Sequence, residues 1–121
     1  MQRLQVSADN VANANSDGPL PSAPAAVQAQ YPAAYAPQQV DQVETAGGGT
    51  AAVVSSVEPG TVVMFDPAAP YADPNGLVAS PNVDYASEAM QQVTASYEFA
   101  FNALVMRVYS QIRKSALDIL T

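Results

Sequence analysis

Serine, aspartate and asparagine are the residues whose types could do chemistry in this chain. A nucleophilic serine needs a base beside it, but the sequence holds no His, and Lys114 is its only Lys, so hydroxyl activation lacks its ordinary partner. There is no Cys either. Disulfides and the usual His/Cys transition-metal sets are therefore absent, and the redox compartment stays undetermined by cysteine usage. Loop oxygens remain: Asp66, Asp73 and Asp84 fall in or near one turn-rich segment, and carboxylates there could hold Ca²⁺. Their spacing is not that of an EF-hand, however, and Asp is an ordinary turn and cap residue. Gly47-Gly48-Gly49 lacks the following GK[ST] of a phosphate cradle. Tyr97, Phe99, Phe101 and Tyr109 could line an aromatic pocket, yet aromatics at helical spacing usually pack. No catalytic residue, cofactor or metal site is expected, and the chain does not read as an enzyme.

What remains is the chemistry of surfaces, and one stretch dominates it. From Asp84 to Leu120, Met90, Val93, Tyr97, Phe101, Leu104, Val108, Ile112, Ser115 and Ile119 follow steps of 3, 4 and 4, with Ser115 alone breaking the apolar seam. This eleven-residue repeat predicts a single long helix with a nearly straight stripe, not a strict heptad seam. Val105, Tyr109, Ala116 and Leu120 widen the stripe towards the end. Ser87, Gln91, Thr94, Glu98 and Asn102 make a polar face early, but between Phe99 and Tyr109 only Asn102 and Arg107 are polar. A helix apolar most of the way round needs neighbours on several sides. Asn82 or Asp84 suits its N-cap, Asp84 and Glu88 its positive end, and Arg113 and Lys114 its negative end.

The remainder of the chain offers that helix little cover. With 121 residues there is room for one domain and hardly two. Residues 1–16 place Leu4, Ala8, Val11 and Ala14 at helical spacing, with Asn10, Asn13 and Asn15 weakening the segment. Ser16-Asp17-Gly18-Pro19 ends it. Residues 17–49 are rich in Ala, Pro and Gln and read as an extended or disordered linker. Pro21-Ser22-Ala23-Pro24 matches PxxP formally, but no cation accompanies it. Residues 50–82 carry the β-branched runs Ala51–Val54 and Thr61–Phe65 around Glu58-Pro59-Gly60, which predicts a hairpin or two short strands followed by turns. Such a β-element is too small for a core of its own. Residues 83–121 are the long helix.

Charge narrows the partners. The formal net charge is −7, and no Lys or Arg stands between Arg3 and Arg107, where ten of the eleven acidic residues lie. A phosphate backbone or an anionic membrane surface would meet repulsion there. No apolar run reaches the length of a membrane span, and residues 1–7 lack the apolar core of a cleaved secretory signal.

Two segments resemble a known family. Val6-Ser7-Ala8-Asp9-Asn10-Val11-Ala12-Asn13-Ala14-Asn15-Ser16 resembles the S-A-x-N-(I/L/V)-A-N-A-N-T motif shared by bacterial flagellar rod and hook axial proteins. The stretch from Phe65 to Asp84, FDPAAPYADPNGLVASPNVD, resembles the Y-D-P-x-H-P-x-A-D-x-x-G-Y-V-x-x-P-N-V-N segment of the FlgC family of proximal rod proteins. Glu88, Met90, Ala95, Ser96, Tyr97, Glu98 and Asn102 are similar to that family's E-M…A-S-R-x-Y-x-A-N stretch. Ala69 stands where the family has His, and the Arg after Ala-Ser is missing. The family's opening helix usually begins earlier, so Met1 would fall inside it.

The resemblance implies a mainly α fold in which a short N-terminal helix pairs with the long C-terminal one in a coiled-coil-like manner, with the small β-rich element and linker between them. It implies a structural subunit that polymerises into the periplasm-spanning drive shaft for motility. Its partners would be copies of itself, other rod proteins of FlgB, FlgF, FlgG and FliE type, and the flagellar type III export apparatus. It would sit in the basal-body rod and be exported without a cleaved signal. The expected assembly interface comprises Leu4, Ala8, Asn10, Val11, Asn13 and Asn15 on the first helix. On the second it comprises Met90, Val93, Tyr97, Phe101, Leu104, Val108, Ile112 and Ile119. The three asparagines would either fix register through buried amide hydrogen bonds or form a helix C-terminal fringe. The alternative is a small, partly disordered adaptor docking through its amphipathic C-terminal helix.

Overall fold

Asp84 opens the dominant element. Its Oδ1 accepts a hydrogen bond from the Ala86 backbone N–H at 3.0 Å, the N-cap arrangement, and the helix then runs unbroken from Tyr85 to Leu120. In a computed structural model the chain is described over residues 1–120, with the backbone alone for Leu120. The reading of Leu120 as part of the apolar face lies outside the described side chains. In chain order the elements are α1 (Gln2–Ala12), α2 (Ala25–Gln30), β1 (Gln38–Glu44), β2 (Thr50–Ser56), β3 (Thr61–Phe65), β4 (Leu77–Pro81) and α3 (Tyr85–Leu120). The short and long helices fall where the periodicity puts them. The content is mixed rather than mainly α, with 44% helix and 21% strand.

Of the expected hairpin or two short strands around Glu58-Pro59-Gly60, the structure has two short strands, and they lie in different sheets. β1 pairs with β2, antiparallel, from Gln38↔Ser56 to Glu44↔Thr50, and β3 pairs with β4 from Thr61↔Pro81 to Phe65↔Leu77. The reason lies in the loops. Gly48 and Gly49 hold φ of +83° and +95°, a region open to glycine, so the chain reverses there and lays β1 against the β-branched β2. At the other turn the chain crosses over. The Val57 N–H bonds to Pro37 O at 2.9 Å and the Asn82 N–H to Gly60 O at 3.0 Å, leaving β3 to find β4.

Residues 17–49, expected as a disordered linker, instead carry α2 and β1. Backbone contacts draw this stretch onto the body. Gly18 and Ala79 exchange N–H···O bonds at 2.9 Å each way, and the Tyr35 N–H bonds to Ser16 O at 2.9 Å. Tyr31 and Tyr71 meet with ring centroids 5.5 Å apart. The buried apolar side chains are few. Among the described residues they are Ala14, Val78 and Ala79, with Pro19, Pro37 and Pro81 beside them. A core this small leaves the body dependent on hydrogen bonds to hold its elements together.

Candidate assembly interface

α1 packs on α3 and on β1, and the face it uses is polar. Ser7 and Asn10, three residues apart on one face of α1, are each 1% exposed, and Ala14 in the turn after the helix is 6% exposed. The matching face of α3 holds buried Glu88 and half-buried Gln91, Gln92 and Ala95. Ser7 Oγ donates to the Glu88 carbonyl at 3.0 Å and accepts from Gln92 Nε2 at 3.2 Å. Arg3 reaches Glu98 at 3.7 Å on the more exposed side of the contact.

Asn10 is the centre of this contact. Its Nδ2 donates to Glu88 Oε1 at 2.7 Å and to the Gln38 carbonyl at 2.7 Å. Its Oδ1 accepts from the Gln38 N–H at 2.9 Å and from Tyr35 Oη at 3.1 Å. Both donors and both lone pairs of the amide are used. Towards Gln38 the side chain bonds N–H and C=O together, as a neighbouring strand would. One residue thereby ties α1, α3, the start of β1 and Tyr35. Glu88 Oε2 is buried with no hydrogen-bond partner among the described residues. Burial raises the Tyr35 phenol above its ordinary 10.0, and the charges of Asp9 and Glu88 push it the same way.

The other two asparagines behave differently. Asn13 closes α1, its backbone N–H and Nδ2 both bonding to Asp9 O, at 3.0 and 2.9 Å. Asn15 is exposed. Asn10 is thus buried and hydrogen-bonded within its own subunit, and Asn13 sits at the end of α1. The residues that reading the sequence missed are Ser7, Gln38, Glu88, Gln92 and Tyr35. Only the Ser7–Asn10 spacing hinted that a polar face of α1 turns inwards.

Because α1 occupies the polar side of α3, the apolar seam faces out. Met90, Tyr97, Phe101, Leu104 and Ile119 are 71, 73, 66, 52 and 83% exposed. Val93, Val108 and Ile112 are likewise exposed. Leu4 is half-buried, while Ala8 and Val11 are exposed; Leu4 meets Val93 and Tyr97 around one shallow groove. Every described side chain of α3 from Ser96 onwards is exposed. Large exposed apolar faces commonly mark interaction sites.

The candidate cation ligands are occupied locally. Asp66 Oδ1 accepts the Ala68 N–H at 3.1 Å. Asp73 Oδ1 accepts the Asn75 and Leu77 N–H groups at 2.8 Å each, and the Leu77 bond is the main reason its carboxyl is held below the ordinary range. Asp84 caps α3. Among the described residues no group of three His, Cys, Asp or Glu side chains is placed to hold a metal ion, and no helix is long and apolar enough to cross a membrane.

The chain is thus a small hydrogen-bonded body carrying a long helix whose apolar seam is exposed. The chain belongs to the FlgC family of flagellar basal-body rod proteins. It is 34% identical to the flagellar basal-body rod protein FlgC of Yersinia enterocolitica, over 98% of this chain and 85% of that protein. It is 35% identical to that of Salmonella typhimurium (strain LT2) and 33% identical to that of Escherichia coli O6:H1, each over the same shares. No protein-family profile matches the chain.

Proposed function

We propose that this protein is a structural subunit of the proximal rod of the bacterial flagellar basal body and polymerises through α1 and α3 into the periplasm-spanning drive shaft. The observation that carries the reading is the outward apolar seam of α3, set in a chain of the FlgC family. The geometry divides the labour. The polar α1–α3 contact holds each subunit's helices together, while the seam is left to bury itself against neighbours. Burying one such side chain is worth ~2 kcal/mol, so repeated seam contacts give assembly the stability that the small body lacks. The neighbours are copies of this chain and rod proteins of FlgB, FlgF, FlgG and FliE type, and the subunit reaches the periplasm through the flagellar type III export apparatus without a cleaved signal. The residues assigned to the contact between subunits are Leu4, Met90, Val93, Tyr97, Phe101, Leu104, Val108, Ile112 and Ile119, with Ala8 and Val11 at its margin. Asn10 acts within the subunit.

The test is motility together with fractionation. Leu104→Asp places a charge on the seam away from the α1–α3 contact, and Tyr97→Asp places one on the seam beside Leu4. Each variant is expected to abolish swimming and rod incorporation while the protein is still exported into the medium. Normal motility in both variants would refute the assignment.

A further inference from the structure

The turn that leads into β4 holds the one Asn-Gly pair of the chain. Asparagine occurs at positions 10, 13, 15, 75, 82 and 102, and only Asn75 is followed by glycine. A glycine has no Cβ to crowd its own nitrogen, so the Gly76 nitrogen is well placed to attack the side-chain carbonyl of the residue before it. The turn itself demands that glycine. Its φ is +76°, and a Cβ there would lie 2.9 Å from the Phe65 ring and 3.0 Å from Pro67 Cβ. Asn75 is exposed, whereas Gly76 is buried. Every group that the attack would have to move is held. The Gly76 N–H bonds to Asp73 O at 2.9 Å, and Gly76 O accepts from the Asp66 N–H at 2.9 Å. Asp73 Oδ1 accepts the N–H groups of Asn75 and Leu77 at 2.8 Å each, and Asn75 Nδ2 donates to Asp73 Oδ2 at 3.3 Å. Both peptide groups of Gly76 are pinned, and the amide that would leave is tied to Asp73.

We infer that Asn75 is a site of spontaneous succinimide formation, closed while this turn is folded and open whenever it is not. When the turn opens, the Gly76 nitrogen gives its proton to a solvent base and bonds to Asn75 Cγ. The Cγ–Nδ2 bond breaks, and that nitrogen leaves as ammonia after taking a proton from water. Water then opens the ring at either carbonyl. Opening at Cγ leaves aspartate. Opening at the main-chain carbonyl leaves isoaspartate, in which the chain runs through the former side chain. Either product replaces the Nδ2 donor with a carboxylate beside that of Asp73, where like charges repel. Isoaspartate also adds a methylene to a turn whose Asp66–Gly76 and Asp73–Leu77 bonds lie at the end of the β3–β4 ladder, next to Phe65↔Leu77. Refolding does not undo that change. The hydrogen bonds also set how well the fold guards the site, since a turn closed by several of them is open on the order of one part in a hundred of the time. The inference stands apart from the rod-subunit reading.

The test incubates the unaltered protein in mildly alkaline buffer, with and without concentrated urea. Chymotryptic cleavage after Tyr71 and Leu77 isolates residues 72–77, and mass spectrometry with chromatographic separation of the isoaspartyl isomer follows conversion in that peptide. Conversion at Asn75 should be about a hundredfold slower in buffer than in urea. In urea it should exceed conversion at Asn15, which precedes Ser16. Asp73→Ala removes the side-chain acceptor of three of these bonds and should speed conversion in buffer at least tenfold, on the order of the loss of one to two hydrogen bonds. Equal conversion of the wild-type protein with and without urea, or a wild-type rate for Asp73→Ala in buffer, would overturn the protection by the turn. Conversion in urea no faster at Asn75 than at Asn15 would overturn the site.

Discussion

Replacing Asn10 with Ala tests the claim that a polar contact, not an apolar one, holds the subunit together. The amide makes four hydrogen bonds from a site that is 1% exposed. Its removal strips the Gln38 N–H and C=O, the Tyr35 hydroxyl and Glu88 Oε1 of a partner at once, and Glu88 Oε2 already has none. A single hydrogen bond contributes ~1 kcal/mol net, and each buried group left unpaired costs ~1–3 kcal/mol. Water entering the vacated site would recover part of this, so the expected loss is on the order of 4 kcal/mol. For a body with so small an apolar core, that is most of its stability. The assay is urea denaturation at low protein concentration, followed by near-ultraviolet circular dichroism of the tyrosines, since Tyr35 sits in the network. Asn10→Asp should be at least as damaging, because it sets a second carboxylate against Glu88. A loss below about 1 kcal/mol for Asn10→Ala, or wild-type stability for Asn10→Leu, would refute the reasoning, since neither could occur if the amide were holding three segments together.

Other consequences are open to simple measurement. Leu104→Asp should leave the urea midpoint of the isolated subunit unchanged, because Leu104 is 52% exposed; a marked drop would mean that the side chain packs within its own chain. Gly18→Ala should lower the melting temperature by at least several degrees, since a Cβ there would lie 2.3 Å from Ala34 N and 2.7 Å from Pro32 O; equal melting temperatures would contradict the close approach of residues 18 and 32–34. Tyr35 gives a pH dependence of known sign. Its pKa is raised in the folded state, so folding favours the protonated phenol, and the associated stability is intact below pH 10 and lost as pH rises through the higher folded value. Tyr35→Phe should flatten that alkaline loss, and an unchanged alkaline profile would count against the hydrogen-bonded, half-buried phenol.

The order of these elements was only partly readable from the chain. The 3, 4, 4 spacing from Met90 to Ile119 is a local property, and a helix expresses it whatever surrounds it, so α3, its apolar seam and its Asp84 cap follow from sequence directly. The family resemblance was equally local, carried by two contiguous segments. Strand pairing was not. Gln38–Glu44 has weak β-propensity and reads as linker, yet it becomes β1 because β2 and Asn10 supply partners for its backbone. Thr61–Phe65 looked complementary to Ala51–Val54, but the two belong to different sheets.

By itself the sequence determined that a long helix exists, which of its faces is apolar and which protein family it belongs to. These are consequences of residue spacing and composition along one stretch. Only the tertiary structure decided which face α1 would cover. Four hydrogen bonds from Asn10 converge from segments far apart in the chain, and buried polar groups must be paired where an apolar stripe can await another molecule. The polar faces of α1 and α3 therefore close on each other within the subunit, and the seam is left on the outside.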